Sequence, residues 1–289
     1  MTEASELETI SWITTYSLTK QFFTEEEQKK IHHYFSSKDL LQLSRSKTIF
    51  RLAHITPKYS EILPHIHYTW LLPILEKLDQ EEQRLFLLVL PTELSTKLAS
   101  HLSCDLPKSE PSAIMQEFAQ CYLMKELLQG INYLSLEILP DHPLNRLLQL
   151  SSKDLNELIF TVGLHDLAID MKKLIQSSLL KHLQEALSSQ EYMYLRKLQK
   201  KAENIQLSSP HIEKWNGETD ALRRLIFLCG INRIAKALYP CHYMLLWNIS
   251  HRLNKTVHSS LYALYTDIKN KRIKEKLIRD ILELILQTI

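Results

Sequence analysis

The fold is indicated by one stretch, Ser151-Ser152-Lys153-Asp154-Leu155, which repeats Ser36-Ser37-Lys38-Asp39-Leu40 residue for residue. In each copy a serine precedes an acidic residue by three positions, and this capping-box spacing satisfies free N–H groups at the start of an α-helix. The same start signal occurs at Thr24, Asp79 and Ser188. The chain is therefore predicted to contain a series of helices with defined N-termini.

The residues around two of these signals extend the similarity. Leucine pairs come just before Asp79 and Ser151, and an apolar segment follows each cap. A break then comes at Pro91 in one unit and at Gly163 in the other. We predict two-helix units that stack on their neighbours, and we expect one buried cluster that contains Leu150, Leu155, Leu158, Leu167 and Met171.

Glycine is scarce, since only four of the 289 residues are glycine. Phosphate-binding loops, dinucleotide folds and nucleophile elbows need clustered glycines, because their backbone approaches a ligand closely or adopts φ > 0. No two of the four are close enough in sequence to make such a loop: Gly130, Gly163, Gly217 and Gly230. Strand patterns are also nearly absent. We predict an all-α protein of stacked helical hairpins, which argues against those enzyme classes.

Two breaks divide the predicted helices into three segments. Cys104–Pro111 contains two prolines and no periodic apolar residues, and Leu207–Gly217 contains Pro210. We predict an N-terminal helical domain over residues 1–104, a helical repeat domain over 112–206 and a C-terminal helical segment over 218–289. Pro240 is expected to divide two helices of the last segment, which is either part of the same stack or a separate helical bundle.

Composition and the N-terminal residues predict a cytoplasmic protein. The longest apolar run, Leu85–Leu90, is far shorter than the ~20 residues that span a bilayer. Met1–Glu6 is acidic and lacks the basic and apolar regions of a signal peptide. The four cysteines are scattered without a CxxC motif, which favours reduced thiols. A formal net charge of +2 gives no strong field for nucleic acid.

No set of residues in the sequence predicts a catalytic, cofactor-binding or metal-binding centre. The pair His65 and His67, and Cys241-His242 with His251, lack further ligands at a suitable spacing. His165-Asp166 is the sole His-Asp pair, and we interpret it as structural. We expect a non-enzymatic protein without cofactor or metal. A helical enzyme that acts on lipids or nucleotides is the less favoured alternative.

A basic cluster near the C-terminus is the candidate partner-binding site. It consists of Lys269, Lys271, Arg272, Lys274, Lys276 and Arg279. A wide apolar stripe accompanies it, formed by Leu277, Ile278, Ile281, Leu282, Ile285 and Ile289. Either the final helix packs into the core and leaves its basic face in water, or it docks to an acidic or helical partner or to an anionic membrane surface. Aromatic residues are not interleaved with the basic ones as nucleic-acid stacking needs.

Residues 146–195 resemble a known family. Three stretches carry the resemblance, Arg146–Ile159, Val162–Lys172 and Ala186–Ser188, with Asp166-Leu167-Ala168 as the most specific part. They resemble the helical repeats of the flagellar rotor protein FliG. Leu71–Leu102 resembles the middle-domain unit of that family, in which Leu90-Pro91-Thr92-Glu93-Leu94 opens the second helix. The resemblance implies helical hairpins in a right-handed, armadillo-like stack.

The chain departs from the rotor family in several motifs. The Glu-His-Pro-Gln motif is missing, Arg196–Lys201 replaces the Gly-Pro-Val-Arg turn, and the charged torque helix has no counterpart. These departures argue against a working flagellar switch protein. Leu222–Leu238 and Leu245–Leu253 are similar to the end of the SctK (YscK) proteins, which are cytoplasmic sorting-platform subunits of type III secretion systems.

Together the two resemblances imply a non-enzymatic cytoplasmic adaptor of a type III, flagellar-related secretion apparatus. It would act by protein–protein docking to cytoplasmic ring or stalk components, without nucleic acid. Its association with the membrane-anchored complex would be peripheral, at the cytoplasmic face of the inner membrane, and would need no transmembrane segment. The alternative is a helical-repeat scaffold unrelated to secretion, for which only the repeat pattern is evidence.

Overall fold

Helices make up most of the part of the chain that the computed structural model describes. That part comprises residues 59–106, 111–131, 133, 136, 139–172, 177–200 and 205–288. No strand occurs among these residues, so the all-α prediction is confirmed for them. The predicted helix starts at Thr24 and Ser36 lie outside the described residues.

The helices of the first half surround an N-terminal core. They are α1 (Tyr59–Ile62), α2 (Tyr68–Leu75), α3 (Gln80–Val89), α4 (Thr92–Leu102) and α5 (Ala113–Leu128), with a 3-10 turn at Leu63–His65. Leu71, Leu75 and Leu123 are fully buried at the centre of this core. α5 ends at Leu128, and the left-handed backbone conformation of Gln129 closes the helix.

The second half contains the longest helices. They are α6 (Ser152–Met171), α7 (Ser177–Ala186), α8 (Ser189–Lys200), α9 (Thr219–Leu238), α10 (Tyr243–His251), α11 (Lys255–Leu264) and α12 (Lys271–Thr288), and 3-10 turns occupy Pro143–Gln149 and Ile212–Lys214. α6 is the central element, because α8, α9 and α12 all pack against it. Pro240 separates α9 from α10, as predicted.

Capping bonds form at three of the predicted helix starts. The Asp79 carboxylate accepts from the Glu82 N–H at 2.9 Å, and the Asp79 N–H donates to the Glu82 carboxylate at 3.1 Å. The same reciprocal pair joins Ser188 and Glu191. Before α6, Ser151 Oγ accepts from the Asp154 N–H at 3.1 Å. These local signals therefore fix where α3, α6 and α8 begin.

The break predicted at Pro91 is confirmed, whereas the break predicted at Gly163 is wrong. α6 continues through Gly163 because this glycine serves packing rather than chain termination. A Cβ at Gly163 would overlap the carbonyl oxygen of Ile226 in α9, and a Cβ at Gly230 of α9 would overlap the carbonyl oxygen of Ile159. The two glycines therefore let the backbones of α6 and α9 touch where the helices cross.

The five residues expected in one cluster are all buried, but they divide between two clusters. Leu150, Leu155 and Leu158 pack with side chains of α9 to α12. Leu167 and Met171 pack with α7, α8 and the first turns of α9. Burial is therefore confirmed and the single cluster is wrong. At 20 residues α6 is about 30 Å long, so its two halves meet different helices.

The hydrophobic cores combine side chains from the three sequence segments. Met244 and Trp247 of α10 belong to the N-terminal core. Residues of α6 and α9 share both of the other clusters. The predicted limits after residues 104 and 206 are therefore not limits between hydrophobic cores in the described part of the chain.

Candidate functional site

The final helix α12 is anchored in the core by its apolar stripe. Leu277, Ile281 and Ile285 are buried against α6 and the turn at Pro143–Gln149. Ile278 and Leu282 are partly buried beside them, and Ile289 lies outside the described residues. The stripe predicted from the sequence is thus part of the fold, and it is covered on the face that a membrane or a partner helix would need.

The six basic residues do not form one uniform patch. Arg272, Lys276 and Arg279 lie four and then three residues apart, so they share one face of α12. Lys274 is turned away and donates to Asp267 at 2.6 Å. Lys271 is 89% exposed and its Nζ lies 3.8 Å from the Glu275 carboxylate. Among the described residues, Lys269, Arg272 and Arg279 make no ion pair.

Three cationic residues lie at or just before the N-terminus of α12, where the helix dipole already places a partial positive charge. We call Lys269, Lys271 and Arg272 the basic end of α12; all three are exposed. The first turn of α12 contains no acidic residue. A cation near a helix N-terminus is unfavourable by about 0.3–1 kcal/mol, and of these three only Lys271 has a compensating ion pair within the described part of the chain, with Glu275. Their position calls for a reason other than folding.

A second candidate is a cleft of about 390 Å³ between α2, the end of α5, α10 and α11. We call it the tryptophan–histidine cleft. Its walls include Trp70, Trp247, His251 and His258, and its remaining apolar lining comes from Pro73, Ile74, Leu127, Leu128, Ile131 and Tyr262. The His251 ring lies 4.0 Å from the Trp247 ring and 4.2 Å from the Trp70 ring, between the two indoles.

Hydrogen bonds hold the walls of this cleft in place. The indole N–H of Trp70 donates to the Leu253 carbonyl at 2.9 Å, and the His67 N–H donates to the His251 carbonyl at 2.8 Å. His67 also accepts from the Thr69 N–H and so caps α2. His67 therefore has a structural role, and the sequence pair His65 and His67 does not form a ligand set.

The histidines of the cleft are held neutral. Burial lowers the pKa of His251 to about 4, and the positive charge of Lys255 adds to the effect. Burial also lowers the pKa of His258, again with a contribution from Lys255. The Nδ1 atom of His258 is buried and has no hydrogen-bond partner among the described residues. A neutral imidazole with an unused nitrogen can accept or donate a hydrogen bond.

The buried carboxylates of α6 form a clamp on the chain between α8 and α9. Asp166 pairs with the buried guanidinium of Arg233 at 2.8 Å, and also accepts from the Leu207 N–H and the Ser208 hydroxyl. Asp170, one turn later, accepts from the Gln206 amide, the Ser209 hydroxyl and the His211 N–H. Because side chains satisfy this irregular segment, Asp166 acts structurally, as the sequence predicts.

Two further pairs of polar side chains lie close together in the structure. His165 is buried, and its Nε2 lies 2.9 Å from the Tyr194 hydroxyl while its Nδ1 lies 3.8 Å from the Asp280 carboxylate of α12. Cys241 Sγ lies 3.3 Å from His142 Nδ1, but burial raises the pKa of this thiol to about 12. A thiol with so high a pKa is a poor nucleophile at neutral pH. Within the described residues, no three His, Cys, Asp or Glu side chains converge as a metal-binding group.

Comparisons with protein families, with curated proteins and with solved structures each find no match to this chain. Within the described residues, no helix combines the length and the apolar character that a membrane span requires. The residues of the chain itself therefore carry the functional argument.

The sequence located the basic cluster but not the cleft. Its walls come from four helices between residues 70 and 262, and their meeting depends on tertiary packing. A local signal exists, since Trp247 and His251, like His258 and Tyr262, are four residues apart and therefore share a helix face. This spacing predicts that the two side chains of each pair share a helix face, but it does not predict which other helices pack around that face.

Proposed function

We propose that the protein is a non-enzymatic adaptor that docks other protein subunits through its surface. The observation that supports this most directly is the basic end of α12, where exposed charge opposes helix stability. Charges that a fold does not need are expected at sites that attract an oppositely charged partner. The core-anchored stripe gives this end a rigid base, which limits the entropy lost on binding.

Exposed apolar residues elsewhere favour the same function. Ile114 and Phe118 lie one turn apart on α5 and are 82% and 63% exposed. Single exposed apolar side chains are ordinary, but neighbouring ones on a helix face are typical of contact surfaces. An adaptor that binds its partner through both electrostatic and apolar contacts would use the basic end of α12 and this exposed pair on α5.

The partner proposed for this adaptor is a cytoplasmic ring or stalk component of a type III, flagellar-related secretion apparatus. The resemblance of residues 146–195 to FliG repeats supports this choice, as does the similarity of Leu222–Leu238 and Leu245–Leu253 to the end of SctK proteins. The protein would attach peripherally to the membrane-anchored complex from the cytoplasm. A helical scaffold in another process is the alternative that the experiments must separate.

The test is capture of partners from the native cell by the full chain, with nuclease treatment to remove nucleic acid. We expect the variant Lys269→Glu/Lys271→Glu/Arg272→Glu to capture less of the secretion subunits and to show a weaker dependence on salt, because screening acts on exposed charges. Lys274 is left unchanged because it pairs with Asp267.

A matched control changes three other exposed lysines, Lys153, Lys181 and Lys214, to glutamate. This control changes the net charge by the same amount as the variant at the basic end of α12, but at other parts of the surface. Acids at the start of α12 favour the helix, so the first variant should unfold at the same or a higher temperature than the wild type. Equal capture by both variants and the wild type would contradict docking at the basic end of α12.

A further inference from the structure

The tryptophan–histidine cleft has the features of a docking pocket rather than of a packing defect. Its volume, about 390 Å³, is in the range of pockets that hold a ligand or a large side chain. Aromatic rings from three helices form its walls, and such rigid, amphipathic side chains dominate the energetic centres of protein interfaces. The pocket is built from hydrogen-bonded elements, so it exists before a partner arrives.

The charges at the rim indicate the chemistry of the occupant. Lys77 and Lys255 line the cleft and are exposed, and Lys255 Nζ lies 5.3 Å from the centre of the Trp70 ring. One carboxylate, Glu126, also lines it. No ion pair joins Glu126 to either lysine among the described residues, so both ammonium groups can meet an added acid.

We propose that this cleft binds a short segment of a partner protein in which a large apolar side chain is flanked by acidic residues. The apolar side chain enters the cleft against the rings of Trp70, His258 and Tyr262. The acids lie against Lys77 and Lys255. This inference rests on the proposed adaptor function, because its occupant is a protein. The pocket lies on α2, α5, α10 and α11, so it is distinct from the basic end of α12.

The test uses the ¹⁵N-labelled full chain and follows the indole N–H signals of its tryptophans, assigned with single Trp→Phe variants. The probe is the peptide acetyl-Glu-Phe-Leu-Glu-amide. We expect it to shift the signals of Trp70 and Trp247. The signal of Trp215 should not move, because that indole lies in another core and donates to the Glu218 carbonyl.

Two further peptides separate charge from apolar contact. Acetyl-Lys-Phe-Leu-Lys-amide, with the opposite charge, should bind about tenfold more weakly, since it repels both lysines. Acetyl-Glu-Ser-Ser-Glu-amide should produce no saturable shift. The variant Lys77→Glu/Lys255→Glu should reverse the preference between the two Phe-Leu peptides, and Lys153→Glu/Lys181→Glu should not. An unmoved Trp215 signal shows that each variant keeps its fold.

The proposal is overturned if no Phe-Leu peptide shifts Trp70 and Trp247, or if the acidic and basic peptides bind equally. It is also overturned if free indole produces the same saturable shifts as the acidic peptide, which would indicate a small-molecule pocket. These results leave the capture experiment on α12 untouched, so failure of the cleft and failure of the adaptor function can be told apart.

Discussion

At the residue scale, the buried ion pair of Asp166 and Arg233 decides how the chain between α8 and α9 is held. Both side chains are almost fully buried, at 0% and 2% exposure. Arg233 also donates to the Ile205 carbonyl, and Asp166 accepts from two groups of the same segment. A buried pair is not by itself strong evidence of stability, but removal of one partner leaves the other charge unpaired.

We therefore predict that Asp166→Asn lowers the free energy of unfolding by about 3–5 kcal/mol, because Arg233 then lies buried without a counter-charge. Urea unfolding followed by circular dichroism measures this. The double variant Asp166→Asn/Arg233→Met should recover part of the loss, since it removes the stranded charge. A cost below about 1 kcal/mol for the single variant would contradict the role of the clamp.

At the element scale, Gly163 of α6 and Gly230 of α9 face each other. Their role in packing explains why the repeat pattern predicted a break within α6 that does not occur. An isolated glycine or proline in a helical pattern indicates a possible break, and Pro91 does separate two helices. Gly163 instead marks the point where another backbone comes close. A glycine that breaks a helix and a glycine that allows a close helix crossing look alike in the local sequence. The packing partner of Gly163 is Gly230, which lies 67 residues away.

We predict that Gly163→Ala destabilises the protein, although alanine has the higher helix propensity by about 1 kcal/mol. The added methyl group overlaps the Ile226 carbonyl, and a backbone atom cannot move aside as a flexible side chain does. Overpacking of this kind costs about 1–3 kcal/mol or more, so the net change is a loss. Thermal unfolding checks it, with the exposed helical variant Asn156→Ala as control. A rise in the melting temperature for Gly163→Ala would refute the close crossing.

The start signals of helices were predictable because each depends on residues three positions apart. Asp79 with Glu82 and Ser188 with Glu191 form their bonds as expected. The sequence showed which residues make up the basic cluster, but it did not show which of them point away from the others. Lys274 turns toward Asp267, and this depends on the loop before α12 rather than on the periodicity of the helix. The tryptophan–histidine cleft was beyond reach because its walls lie up to 192 residues apart, at Trp70 and Tyr262.

At the scale of the whole molecule, neutral histidines link stability to pH. The pKa of His251 is lowered to about 4, mainly by burial, and further by the positive charge of Lys255 and by repulsion from His258 when that ring is protonated. Lys77, in the turn after α2, and Glu126 of α5 line the same cleft. The lowered pKa of His142, which burial causes, acts in the same direction, and its Nδ1 must be unprotonated to accept from the Leu144 N–H.

We predict that the free energy of unfolding falls as the pH decreases from about 6.5 to about 4, because the unfolded chain then binds protons that folded His251 does not. This stability is present at pH 7 and is lost within that window. The contribution of His251 is on the order of 3 kcal/mol.

Carboxylates also protonate at low pH, so the informative quantity is the difference between the wild type and His251→Phe. The phenylalanine keeps a ring between Trp70 and Trp247 but cannot titrate. Urea unfolding at a series of pH values should give a shallower decrease for the variant. Parallel curves for the two proteins would contradict the burial of a neutral imidazole at this position.

The central claim is that the molecule works as an adaptor for a secretion apparatus. Its most direct test is export of substrates from a strain in which the only copy of the gene is deleted and then replaced by the wild type, by Lys269→Glu/Lys271→Glu/Arg272→Glu, or by the control Lys153→Glu/Lys181→Glu/Lys214→Glu. The account predicts that deletion stops export, that the wild type and the control restore it, and that the variant at the basic end of α12 restores it poorly despite equal protein levels. Normal export from the deletion strain would contradict the claim.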